Sequence, residues 1–103
     1  MIDEFPDLEK LIGHLQPQTQ RWITDLVRNF TFEPVQLKLL ILAGEAHERT
    51  NEARERIAKD GICIEDRFGQ LKRHPAVQIE RDSRSAFSKL MRQLKLDIDP
   101  PQH

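Results

Sequence analysis

With 103 residues the chain has the size of one domain, and 38% hydrophobic against 32% charged residues allows a core too small to leave much margin, so self-association is expected to add burial. The longest apolar run, Leu39 to Ala43, excludes a membrane span; Met1-Ile2-Asp3-Glu4 lacks the basic start of a signal peptide; and Cys63, the only cysteine, excludes an intrachain disulfide, so a reducing intracellular setting is expected. A net charge of −1 excludes a uniformly basic, histone-like DNA binder, yet residues 1–66 hold eight Lys/Arg against thirteen Asp/Glu whereas residues 67–95 hold eight against two.

In chain order, residues 1–16 are acidic, and Phe5, Leu8, Leu11, Ile12 and Leu15 mark a short amphipathic stretch, read as a loosely held, flexible N-terminal arm. A single helical domain is expected over 17–97, followed by a tail over 98–103. From Pro17 to Asn29, Trp22, Ile23, Leu26, Val27 and then Phe30 recur at three- and four-residue steps, which predicts the first main helix. Pro34 cannot continue that helix but suits the first turn of the next, which runs to about Asp60 before Gly61. Val35 to Ala43 is apolar nearly all round, whereas beyond it only Ala46, Thr50, Ala53 and Ile57 form a thin stripe among charges, with Glu45–Arg49 and Glu52–Arg56 at ion-pair spacing. Such a stripe calls for a neighbouring helix from this chain or from another subunit.

The period then changes. Ile62, Ile64 and Leu71 flank Asp66-Arg67-Phe68-Gly69, which predicts a short β-hairpin or extended loop. Pro75 opens a last helix whose stripe is Ile79, Ser83, Ala86, Phe87, Leu90, Met91 and Leu94, ending near Leu96. The fold class expected is mainly α: a helical hairpin, a short β-hairpin or loop, and a C-terminal helix.

No phosphate loop, dinucleotide fingerprint or zinc-protease motif is present, and the four histidines are scattered, so neither metal nor cofactor is expected. Cys63, in an apolar run, reads as a buried, inert thiol, and Glu65/Asp66 as solvated turn charges lacking the third carboxylate that a metal nuclease needs. The chain is therefore not expected to be an enzyme. With Trp22 and Phe87 on apolar stripes there is no stacking platform for single strands, so any nucleic acid bound is expected to be duplex. The basic segment offers Arg67, Lys72, Arg73 and His74, continued by Arg81 and Arg84, as phosphate contacts whose affinity falls with salt. The same segregation also fits a solvated face balanced by the acidic half.

The stretch Gly61-Ile62-Cys63-Ile64-Glu65-Asp66-Arg67-Phe68-Gly69-Gln70-Leu71-Lys72-Arg73-His74-Pro75-Ala76, followed by Ile79 to Phe87, resembles the central signature of a phage terminase small-subunit family. In that family a long helix ends at Gly, an extended segment with a second Gly leads into a His/Asn-Pro step, and a final helix ends with Leu-x-Leu, here Leu94-Lys95-Leu96. Lys95 stands where relatives often have Gly. The resemblance implies a helical protomer that assembles into an oligomeric ring in the host bacterial cytoplasm, binds double-stranded viral DNA, and delivers it to a large terminase subunit that holds the ATPase and nuclease. It carries over no catalytic residue. Many relatives begin with a basic arm, whereas this chain begins acidic. The competing readings are a helical oligomeric protein–protein interaction scaffold without DNA binding, and a small nuclease, which the carboxylate pattern disfavours.

Overall fold

Proline and glycine set most of the element boundaries. The computed structural model, which describes residues 7–95 and Pro101, contains α1 (Leu8–Ile12), α2 (Pro17–Asn29), α3 (Pro34–Asp60), β1 (Cys63–Glu65), β2 (Leu71–Arg73) and α4 (Pro75–Leu94). Pro17, Pro34 and Pro75 each stand at a helix start, where the missing N–H would have had no partner in any case. At α3 a capping box adds to this: Glu33 accepts from the Gln36 backbone, and the Gln36 side chain accepts from Glu33 N at 2.9 Å. Gly61 ends α3 at φ +86 and ψ 165, a conformation that a side chain would oppose. The fold is mainly α with a two-stranded antiparallel sheet, as the sequence implies.

The helices pack as two antiparallel layers along α3. Gln16 N donates to Glu48 at 2.6 Å, and Thr19 lies against Gly44, so α2 covers the first half of α3. Beyond it, α4 returns along α3: His47 meets Phe87, Arg54 meets Glu80, and Asp60 meets His74. Thr50 and Ala53 are buried on α3, as are Ala76 and Ser83 on α4; these small side chains let the backbones approach closely. The Thr50 hydroxyl donates to Ala46 O at 2.9 Å and so is satisfied inside the seam. Of the two partners expected for the thin stripe of α3, a helix of this chain or one of another subunit, α4 of this chain is the one that covers it.

The large apolar residues gather at the opposite end. Ile23, Val27 and Leu40 are fully buried and join Leu8, Ile12, Leu15, Leu26, Phe32, Leu37 and Leu94, with Trp22, Leu39, Ile41 and Met91 half-buried around them. The stretch expected as an arm thus includes α1, with Leu8 and Ile12 on the core, and His14 Nε2 donates to Glu45 Oε2 at 2.7 Å. Phe5, in the first six residues, lies outside the described residues, and so do Leu96 and, apart from Pro101, the tail. Lys95 caps α4 at φ 57 and ψ 33, the left-handed conformation that glycine adopts at this position in a helix stop. Apolar surface remains on α3 at Val35, 67% exposed, and Leu42, 47% exposed, two turns apart on one face.

Candidate nucleic-acid interface

The β-hairpin joins the ends of α3 and α4 farthest from the core, in a molecule 56 Å long and only 24 by 20 Å across. Cys63 pairs with Arg73, Ile64 with Lys72, and Glu65 with Leu71. His74 N donates to Ile62 O at 2.6 Å and carries the ladder back to the helices. Asp66 organises the tip: its Oδ1 accepts from Phe68 N at 2.8 Å and from Gln70 N at 3.0 Å, while its backbone carbonyl accepts from Gly69 N at 3.0 Å. Gly69 then takes φ +77, the left-handed residue that closes a three-residue hairpin loop. Asp66 is accordingly a turn-forming side chain, and among the described residues no group of three His, Cys, Asp or Glu comes together as a metal site.

Among the described residues the two strands of this ribbon are largely bare, with only Ile64 half-buried. Leu71 and Cys63 are exposed, which corrects the expectation of a buried thiol: two strands alone cannot enclose a side chain, and no helix among the described residues crosses them. Phe68 is 76% exposed at the tip, with the Arg67 guanidinium carbon 5.3 Å from its ring centroid. An exposed aromatic is therefore present where none was expected from sequence. Trp22 and Phe87 are half-buried, with ring centroids 6.3 Å apart between α2 and α4.

Three of the six expected phosphate contacts, Arg67, Lys72 and Arg73, stand on the hairpin and are exposed. Successive strand residues face opposite ways, so Lys72 and Arg73 present one cation on each face. Neither has an ion-pair partner among the described residues. His74 differs. Its side chain is 11% exposed, Nδ1 accepts from Ala76 N at 3.0 Å as the α4 cap, and Nε2 donates to Asp60 Oδ2 at 2.9 Å. The imidazole thus fastens the hairpin's exit to the end of α3. His74→Ala removes both bonds and is expected to lower stability by about 1 kcal/mol, the usual worth of a cap, measured by urea unfolding. An unchanged midpoint would deny it that role.

Arg81 and Arg84 lie along α4, roughly 10 to 15 Å beyond His74 at about 1.5 Å per residue. Arg81 donates to Gln78 Oε1 at 2.7 Å, and Arg84 contacts Glu80 Oε2 at 3.3 Å. That same oxygen accepts from Arg54 at 3.1 Å, so one carboxylate serves two guanidinium groups and a positive charge is left over. Arg54, on α3, is a member of this cluster that sequence spacing does not reveal, because its acidic neighbour comes from another helix. The expected Glu45–Arg49 and Glu52–Arg56 pairs do not form among the described residues; Glu45 turns to His14 instead.

No helix is long and apolar enough to cross a membrane among the described residues. The sequence model of one protein family, described as phage terminase, small subunit, matches residues 20–100, which takes in most of α2, all of α3, the hairpin and α4. No curated protein and no solved structure gives a match.

Proposed function

The chain belongs to the phage terminase small-subunit family, and so to the genome-packaging apparatus of a phage; within it, we propose that the chain binds viral duplex DNA through the hairpin and presents it to the large terminase subunit, with no catalysis of its own. The observation that carries this reading is the pair Lys72 and Arg73, one on each face of an exposed ribbon, unpaired among the described residues. A two-stranded ribbon fits a DNA groove, and cations on both its faces can meet the phosphates on either side. Arg67 reaches from the tip, while Arg81, Arg84 and Arg54 extend the positive strip along the helices. His74 contributes by fixing the direction in which the hairpin leaves them.

Each hairpin offers few phosphate contacts, so a single copy binds weakly, and a ring of copies multiplies the effect by avidity. The exposed Val35 and Leu42 face of α3 supports such self-association, since burying it against another subunit removes apolar surface from water.

Lys72→Ala with Arg73→Ala is expected to weaken binding to all duplexes alike and to flatten the dependence of log affinity on log salt by up to about two units per engaged subunit. Fluorescence anisotropy with unrelated duplexes over a salt series measures both quantities. Wild-type affinity and slope in the double variant would move the site away from the hairpin. Persistent oligomers that bind no duplex at any salt would favour the protein-interaction scaffold instead.

A further inference from the structure

Phosphate contacts leave one feature of the hairpin unexplained. The outermost side chain of the ribbon is a phenylalanine, 76% exposed, and Leu71, which opens the returning strand beside the tip, is 74% exposed. A solvent-facing turn is ordinarily polar, and a bare aromatic ring there is unfavourable unless something covers it. The turn that carries the ring is held in place: Asp66 Oδ1 takes the backbone N–H groups of both Phe68 and Gln70, and Gly69 closes the loop. Its surroundings are cationic. Arg67 sits over the ring and Lys72 and Arg73 follow on the returning strand, three cations against the carboxylates of Glu65 and Asp66, of which Asp66 spends an oxygen on the turn.

An apolar ring carried on a firmly held turn at the leading end of a narrow ribbon, with cations behind it, has the chemistry of a wedge. The cations suit the phosphates of a duplex, and the ring suits the space between two base pairs, where it replaces part of the stacking that it interrupts. We infer that Phe68 enters the duplex between adjacent base pairs, so that the hairpin unwinds and bends the DNA it holds. This rests on the duplex-binding reading above and adds a deformation that phosphate contacts do not produce. Phe68 provides no hydrogen-bonded readout of the bases; any preference among sites would come from how easily a base step opens, with flexible pyrimidine–purine steps favoured.

The test relaxes a closed circular plasmid with a topoisomerase in the presence of the full chain, removes the protein, and reads the linking number. The wild type is expected to leave a lowered linking number. Phe68→Ala should leave the value of the protein-free control and bind duplex about tenfold more weakly with the salt slope unchanged, while Phe68→Leu keeps part of the shift. Circular dichroism of each variant checks the fold, which exposed Phe68 does not support. A shift that survives in Phe68→Ala is wrapping and overturns the inference; if that variant also loses the large subunit, the ring belongs to a protein contact. Salt-dependent binding by the wild type with no shift overturns the inference and leaves the duplex-binding reading standing. No duplex binding at all overturns both.

Discussion

Leu40→Ala is expected to cost about 2–5 kcal/mol, a large share of the roughly 5–15 kcal/mol that holds a domain of this size together. Leu40 is fully buried in the cluster where α1, α2 and α3 meet Leu94 of α4. Truncation removes three carbons from that cluster, and the walls cannot close on the gap because they belong to four helices with separate constraints. At about 4–8 °C per kcal/mol, the thermal midpoint should fall by at least about 8 °C. Leu71→Ala is the matching control, since Leu71 is 74% exposed and its loss should move the midpoint little. Thermal unfolding followed by helix circular dichroism compares the two. A loss below about 1 kcal/mol for Leu40→Ala would mean that the core is not organised around α3 in this way.

The contrast between these positions marks what a sequence of this kind discloses. The starts of α2, α3 and α4 were legible because proline at a helix start and glycine beyond a helix end act locally, within a few residues of the chain. The hairpin was legible from Asp66 and Gly69 for the same reason. What lies across space was not. The partner of Glu80 is Arg54, 26 residues away, and Glu45 prefers His14 to Arg49 at ion-pair spacing; both choices follow from how α1 and α4 lie on α3. Exposure was equally hidden at the hairpin. Ile62 and Ile64 alternate like a half-buried strand, yet a pattern records only which side chains share a face, and here Ile64 is half-buried while Ile62, Cys63 and Leu71 are exposed. Lys95 shows a third limit. Its left-handed conformation is set by where α4 must stop, although the residue itself opposes it.

The close approach of α2 to α3 at Gly44 yields the other large effect. Gly44 stands in the middle of α3, where glycine costs about 1 kcal/mol relative to alanine, so Gly44→Ala would stabilise an isolated helix. In this fold the added Cβ would lie 2.8 Å from Thr19 Cγ2 and 3.4 Å from Ile23 Cδ1, and both side chains are fully buried on α2. Overpacking of that kind costs roughly 1–3 kcal/mol, which outweighs the gain in helix propensity, so a net loss of about 1–2 kcal/mol is expected. Thr19 also explains how the loss can be reversed. Its Oγ1 is buried without a hydrogen-bond partner among the described residues, so the hydroxyl contributes nothing that an alanine would forfeit. Thr19→Ala removes Cγ2 and leaves room where the new methyl group of Gly44→Ala would sit. The double variant should therefore be at least as stable as the wild type, although Gly44→Ala alone is destabilising, with a coupling of about 1–2 kcal/mol between two residues in contact. Equilibrium urea unfolding of the four proteins closes the cycle. Losses that simply add, within about 0.5 kcal/mol, would show that α2 does not lie against α3 at Gly44.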